Sequence, residues 1–127
     1  MRIEHIAIWT ENIEIMKEFY VEFFHGAPSK KYTNVSKKFE SYFIYFGEGA
    51  RLELMSISAL KSMDKELNIS GYAHMAFSAG SMEAVNNLTE KLRSNGYTVI
   101  SEPRTTGDGY YESCILDPEG NKVEITA

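Results

Sequence analysis

The chain has a single cysteine, Cys114, among 127 residues. No internal disulfide can form, which fits a reducing compartment. Cys114 falls in an apolar, strand-like run, where a buried and inert thiol is expected. Long hydrophobic runs are also missing. None approaches the roughly 18 residues that a membrane-spanning helix needs, so no membrane span is expected. The N-terminus enters a strand-like segment at once, without a signal-peptide pattern, and a cytoplasmic location is the expectation. Positive charge is in deficit, with 13 Lys and Arg against 18 Asp and Glu and a formal net charge of -5. That balance argues against a nucleic-acid or anionic-membrane surface. The lysine pairs Lys30–Lys31 and Lys37–Lys38 stand among polar residues and read as a solvated hairpin.

What is present is a hydrophobic fraction of 43% and an aromatic fraction of 13%. Both favour a packed interior over disorder, and the length suits one domain. Residues 2–9 read as a strand by their β-branched content, with Ile3, His5, Ala7 and Trp9 on one face. Asn12 offers a helix cap. Ile13, Met16, Tyr20, Phe23 and Phe24 then recur at helical spacing as far as Gly26. Probable strands follow at 30–36, 40–46 and 51–57. In the last, Leu52 and Leu54 alternate with Arg51, Glu53 and Met55. Residues 58–70 read as a connection, with Leu60, Met63 and Leu67 spaced as on a short helix.

The order then repeats. Residues 72–78 predict a strand with His74 at its centre. Ser81 predicts the cap of a helix whose buried stripe is Met82, Val85, Leu88 and Leu92, and Asn95-Gly96 stops it. Strands are expected from Tyr97, over 110–116 and over 122–126. Asp117-Pro118-Glu119-Gly120 makes the last turn.

A shift of 69 places carries His5 onto His74, Ile13 onto Met82, Met16 onto Val85 and Phe19 onto Leu88. A shift of 71 carries Glu53 onto Glu124. The simplest reading is an α+β fold of two tandem βαβββ modules forming a curved mixed sheet: module 1 over 1–57, linker 58–70, module 2 over 71–127, one domain in all. A lone His in an apolar strand is more often a hydrogen-bonded core residue than a ligand, and a Glu in a last strand more often a solvent-facing one. Their coincidence at four equivalent places favours a cation, because unpaired buried carboxylates are costly. Two imidazoles and two carboxylates suit a divalent metal ion such as Ni, Zn, Co, Mn or Fe.

These features resemble the vicinal oxygen chelate superfamily, which includes glyoxalase I, methylmalonyl-CoA epimerase, extradiol dioxygenases and fosfomycin- and bleomycin-resistance proteins. The resemblance spans essentially the whole chain. Its most specific parts are the His5-Ile-Ala-Ile opening, the Gly71-Tyr-Ala-His-Met-Ala-Phe segment and the Asp117-Pro-Glu-Gly-Asn-Lys-Val-Glu-Ile ending. It implies metal ligands at His5, Glu53, His74 and Glu124, a pattern similar to glyoxalase I (lactoylglutathione lyase). Epimerase-like members have Gln where this chain has Glu53. Oxygenase and thiol-transferase members use only two His and one Glu.

The resemblance therefore implies a metal-dependent lyase or isomerase. Bidentate chelation of a small oxygenated substrate would stabilise an enediolate, with Glu53 or Glu124 as the catalytic proton carrier. The alternatives are an epimerase, dioxygenase or thiol transferase of the same superfamily, or a non-catalytic small-molecule-binding or resistance protein. Trp9 stands near the place of an Arg that holds the glutathione carboxylate in glyoxalase I relatives, and it cannot form that pair. Arg51 and Arg104 are candidates for another anionic group, or plain surface residues. Trp9, Tyr45, Tyr110 and Tyr111 are candidates to line a substrate pocket, or core aromatics. Relatives of this size imply a homodimer, with a small molecule as the other partner.

Overall fold

The computed structural model describes residues 1–61 and 70–127. Its contacts divide the chain into two compact units, Met1–Met63 and Asp64–Ala127. The division falls inside the expected connection. Met63 and Leu67, expected there on a short helix, lie outside the described residues.

The first unit runs β1 (His5–Trp9), α1 (Ile13–Phe24), β2 (Ala27–Pro28), β3 (Tyr32–Asn34), β4 (Phe39–Tyr45) and β5 (Arg51–Ile57). The Asn12 side chain accepts the Ile15 N–H at 3.2 Å and starts α1. Ile13, Met16, Phe19, Tyr20 and Phe23 form its buried face, which packs on β4 and β5. The helix ends through His25 in the left-handed region, with φ 55°. Gly26 then passes so close to β4 that a Cβ there would collide with Ile44 Cγ2. Only a glycine fits this crossing.

The sheet has the order β1-β5-β4-β2, with β3 also on β4. β1 runs parallel to β5, and β4 antiparallel to it. The strand expected over 30–36 is reduced to three residues, and the first strand begins only at His5. In both places, pairing partners across the sheet set the limit: β1 first meets β5 at the pair His5 and Arg51.

The second unit runs β6 (Met75–Ser78), α2 (Met82–Ser94), β7 (Val99–Thr105), β8 (Tyr111–Leu116) and β9 (Lys122–Thr126), with sheet order β6-β9-β8-β7. Ser81 caps α2 by accepting the Ala84 N–H at 3.1 Å. The buried stripe is Val85, Thr89 and Leu92. Met82, expected in that stripe, is exposed, and Leu88 is only partly buried. Thr89 belongs to the stripe because its hydroxyl is satisfied there. It donates to the Val85 carbonyl at 2.7 Å and meets Ser113 Oγ at 2.6 Å.

The strand expected over 72–78 is shorter than expected. β6 pairs with β9 alone, and β9 offers it partners only from Val123 to Thr126. His74 therefore sits just ahead of the strand rather than at its centre. The turn into β9 is built on Asp117, which is 4% exposed. Its carboxylate accepts the backbone N–H of Glu119 at 3.0 Å and of Asn121 at 2.8 Å, and the Asn121 amide at 2.7 Å.

Candidate metal centre

In each unit a strand with two-residue periodicity separates structural from chemical side chains. In β5, Leu52 and Leu54 are buried on the side where α1 packs. Arg51, Glu53 and Met55 take the other face. The parallel register places Ala7 beside Glu53 and His5 beside Arg51, and the antiparallel register places Phe43 on the far side of Glu53. His5, Phe43, Arg51 and Glu53 thus share one face.

His5 Nε2 stands 3.8 Å from Glu53 Oε2. The other ring nitrogen, Nδ1, is in short contact with Glu4 Oε2, and the second Glu4 oxygen accepts from Arg51 Nη2. These two partners hold the Glu4 carboxyl below the usual range, His5 more than Arg51. The Arg51 guanidinium lies 4.1 Å from the Phe43 ring centre and 5.5 Å from that of Tyr45. The His5 ring meets Phe43 edge-on, with 5.5 Å between centres.

The second unit has the matching pair. Val123 and Ile125 of β9 are buried on the side of α2, so Glu124 faces the other way. Its side chain is 20% exposed, and its Oε2 lies 3.0 Å from His74 Nε2. Ala76 and Cys114 flank Glu124 in register. Cys114, expected to be a buried and inert thiol, is only partly buried and shares the face of the carboxylate. Burial pushes its thiol pKa up, and the negative charge of Glu124 adds to the effect.

The donor chemistry fits a divalent ion. The His74–Glu124 contact at 3.0 Å and the wider His5–Glu53 contact at 3.8 Å each set one nitrogen donor beside one oxygen donor. Glu53 is only 16% exposed, so both carboxylates are withdrawn from water and gain from a positive partner. Each unit brings one nitrogen and one oxygen donor. Among the described residues no group of three or more His, Cys, Asp or Glu side chains is gathered.

The other sequence candidates divide by place. Trp9 is 47% exposed at the end of β1 and meets Phe39 edge-on at 6.3 Å. Tyr45 is exposed at the end of β4 beside Arg51. Both lie on the face of Glu53. Arg104 pairs in register with Glu112 and donates to Ser101 Oγ. Tyr110 is exposed beside the β7–β8 turn, and its carbonyl accepts from Thr106 N–H at 2.8 Å. Tyr111 alternates with Glu112 onto the side of α2, where its hydroxyl donates to Asn86 Oδ1 at 2.8 Å. Sequence reasoning passed over Glu4 and Phe43. The alternation of Phe43 with Tyr45 was a usable signal for the latter. Glu4 had none, since its partner Arg51 is 47 positions away.

The Glyoxalase/Bleomycin resistance protein/Dioxygenase superfamily model matches residues 2–125. The chain belongs to this superfamily. A Bacillus subtilis (strain 168) protein, YqjT, is 29% identical over 132 residues, which cover 98% of each chain. Glyoxalase I from Zea mays superposes with a TM-score of 0.82 at 22% identity over 98% of this chain, which spans 44% of the maize protein. The trypanothione-dependent glyoxalase I of Leishmania major superposes with a TM-score of 0.79 at 20% identity, covering 99% of this chain and 86% of that one. A glyoxalase family protein from Enterococcus faecalis gives 0.81 at 22% identity, with 99% and 97% covered. At such identities the solved relatives establish the superfamily fold. Among the described residues no helix is long and apolar enough to cross a membrane.

Proposed function

We propose that the chain is a divalent-metal-dependent lyase or isomerase of the glyoxalase I type, acting on a small oxygenated substrate in the cytoplasm as a homodimer. One observation carries the reading. An imidazole and a carboxylate stand side by side in each unit, at matching points of the repeat. Membership of the superfamily and the fold shared with two glyoxalase I enzymes support it.

In this reading His5, Glu53, His74 and Glu124 are ligands of one ion, Ni, Zn, Co, Mn or Fe, drawn from both units of one chain or from two copies of it. When bound, the ion supplies a Lewis acid that polarises a substrate carbonyl and stabilises negative charge developing on neighbouring oxygens. Glu53 or Glu124 takes the proton from the adjacent carbon and returns it at the next position, as general base and then general acid. A carboxylate held against a cation is a weak base, so the residue that carries the proton would be the one the ion holds less firmly. Arg51, beside Glu53, offers a charge partner for an anionic substrate group. Trp9, Phe43 and Tyr45 offer apolar surface.

The test is metal analysis of the purified protein after reconstitution, followed by methylglyoxal–thiol turnover with Ni or Zn added. About one ion per four-ligand site together with isomerising turnover is the expected result. Failure to retain metal overturns the reading in favour of a small-molecule-binding protein, which the exposed Trp9 and Tyr45 would then serve.

A further inference from the structure

The two histidines are not held alike. His74 is preceded by Ala73, which offers no side-chain acceptor. His5 is preceded by Glu4, whose carboxylate lies against His5 Nδ1. An ionised carboxylate can only accept hydrogen bonds, so Nδ1 must carry the proton in this contact. The neutral ring then keeps its lone pair on Nε2, the nitrogen that faces Glu53 at 3.8 Å.

Glu4 is fixed in turn. Its second oxygen accepts from Arg51 Nη2, and its backbone carbonyl accepts the Arg51 N–H at 3.1 Å. The Arg51 guanidinium is stacked on Phe43, whose ring also receives the edge of His5. Three side chains, those of Glu4, Arg51 and Phe43, therefore close a loop with the His5 imidazole.

We infer that Glu4 is a positioning residue that holds His5 in its Nδ1–H tautomer and turns the Nε2 lone pair to the side of Glu53. Arg51 anchors Glu4 in that role. The two halves of the repeat are then unequal: His5 has a carboxylate at each ring nitrogen, Glu4 at Nδ1 and Glu53 facing Nε2, whereas the carboxylate beside His74 is that of Glu124 at Nε2. That the exposed lone pair serves a metal ion rests on the function proposed above. The tautomer itself does not. Partners of this kind orient a ligating ring and are worth about 10- to 100-fold in metal affinity.

The test uses nitrogen-15 correlation spectra of the imidazoles in metal-free protein, with zinc affinity by competition as a second measurement. Glu4 is exposed and precedes β1, so its variants keep the buried core. In the unaltered chain, neutral His5 should show the Nδ1–H tautomer. Glu4→Ala should convert it to a mixture or to the Nε2–H form, leave His74 unchanged and weaken zinc binding about 10- to 100-fold. Glu4→Gln keeps an acceptor oxygen and should restore most of the tautomer and of the affinity. An Nε2–H tautomer in the unaltered chain, or a tautomer indifferent to Glu4→Ala, overturns the inference. A tautomer that follows Glu4 in a chain that binds no zinc upholds the positioning role and removes the metal reading alone.

Discussion

The Tyr42 hydroxyl donates to Glu14 Oε1 at 3.0 Å, joining β4 to α1 across 28 positions of sequence. The same carboxylate accepts from Lys17 at 2.7 Å and pairs with Lys31 at 3.2 Å. The Lys17 hydrogen bond, and after it those of Lys31 and Tyr42, hold Glu14 down at about 2.

A depressed carboxyl stabilises the fold where it is ionised in both states. Its contribution is complete above the ordinary value of 4.5 and is lost as pH falls through about 2. Glu14→Gln should therefore flatten the acid side of the stability curve between those limits and leave its shape near neutrality. Glu14 is 45% exposed, so screening reduces the effect to about 0.5–1 kcal/mol. Urea midpoints measured from pH 2 to pH 7 read it directly. An unchanged acid limb would show that the network adds nothing.

Glu53→Gln separates the proposed reaction from its neighbours in the superfamily. A lyase that uses Glu53 as ligand or proton carrier should lose about 10²-fold or more in turnover. A reaction that uses only His5, His74 and Glu124 should retain both metal and rate. Steady-state assays with matched metal content distinguish the two.

Asp117→Ala should cost about 2 kcal/mol, because three donors lose a charged acceptor in a buried turn. At this chain length that lowers Tm by roughly 6–10 °C. Asp117→Asn keeps an acceptor oxygen and should lose less. Calorimetry of the pair checks both values. Negligible losses in both would assign the turn to Pro118 and Gly120 instead.

The parts legible in the sequence were those governed by local rules. Asn12 and Ser81 mark their helices because a side-chain acceptor at that place answers an unpaired N–H a few residues on. β5 and β9 were legible to the residue, since alternating Leu52, Glu53 and Leu54, or Val123, Glu124 and Ile125, lies between turn formers. The repeat made the two His–Glu pairs legible as well, and the structure brings each within 4 Å. What depended on distant partners was not legible. The start of β6 is decided by where β9 begins to offer hydrogen bonds. The short β2 exists only through β4, and pairing with β4 trims the strand expected over 30–36 to the three residues of β3. Cys114 read as interior because Ile115 and Leu116 follow it, and only the register with Glu124 shows which face it takes. Glu4 gave no signal because its partner Arg51 is remote in the chain.

The alternation in β5 bears on how this chain can change over time. Leu52 and Leu54 secure the helix while Arg51 and Glu53 take the face of the proposed site, and the two sets differ by a single step. One residue gained or lost within the strand would turn the carboxylate into the core and the leucines onto the working face. Folding and the proposed activity would fail together, so the proposed site can change here only by replacing side chains in place. Changes of length have to be absorbed in the turns, such as the Gly47–Gly49 bend ahead of the strand, where the frame of the strand is left intact.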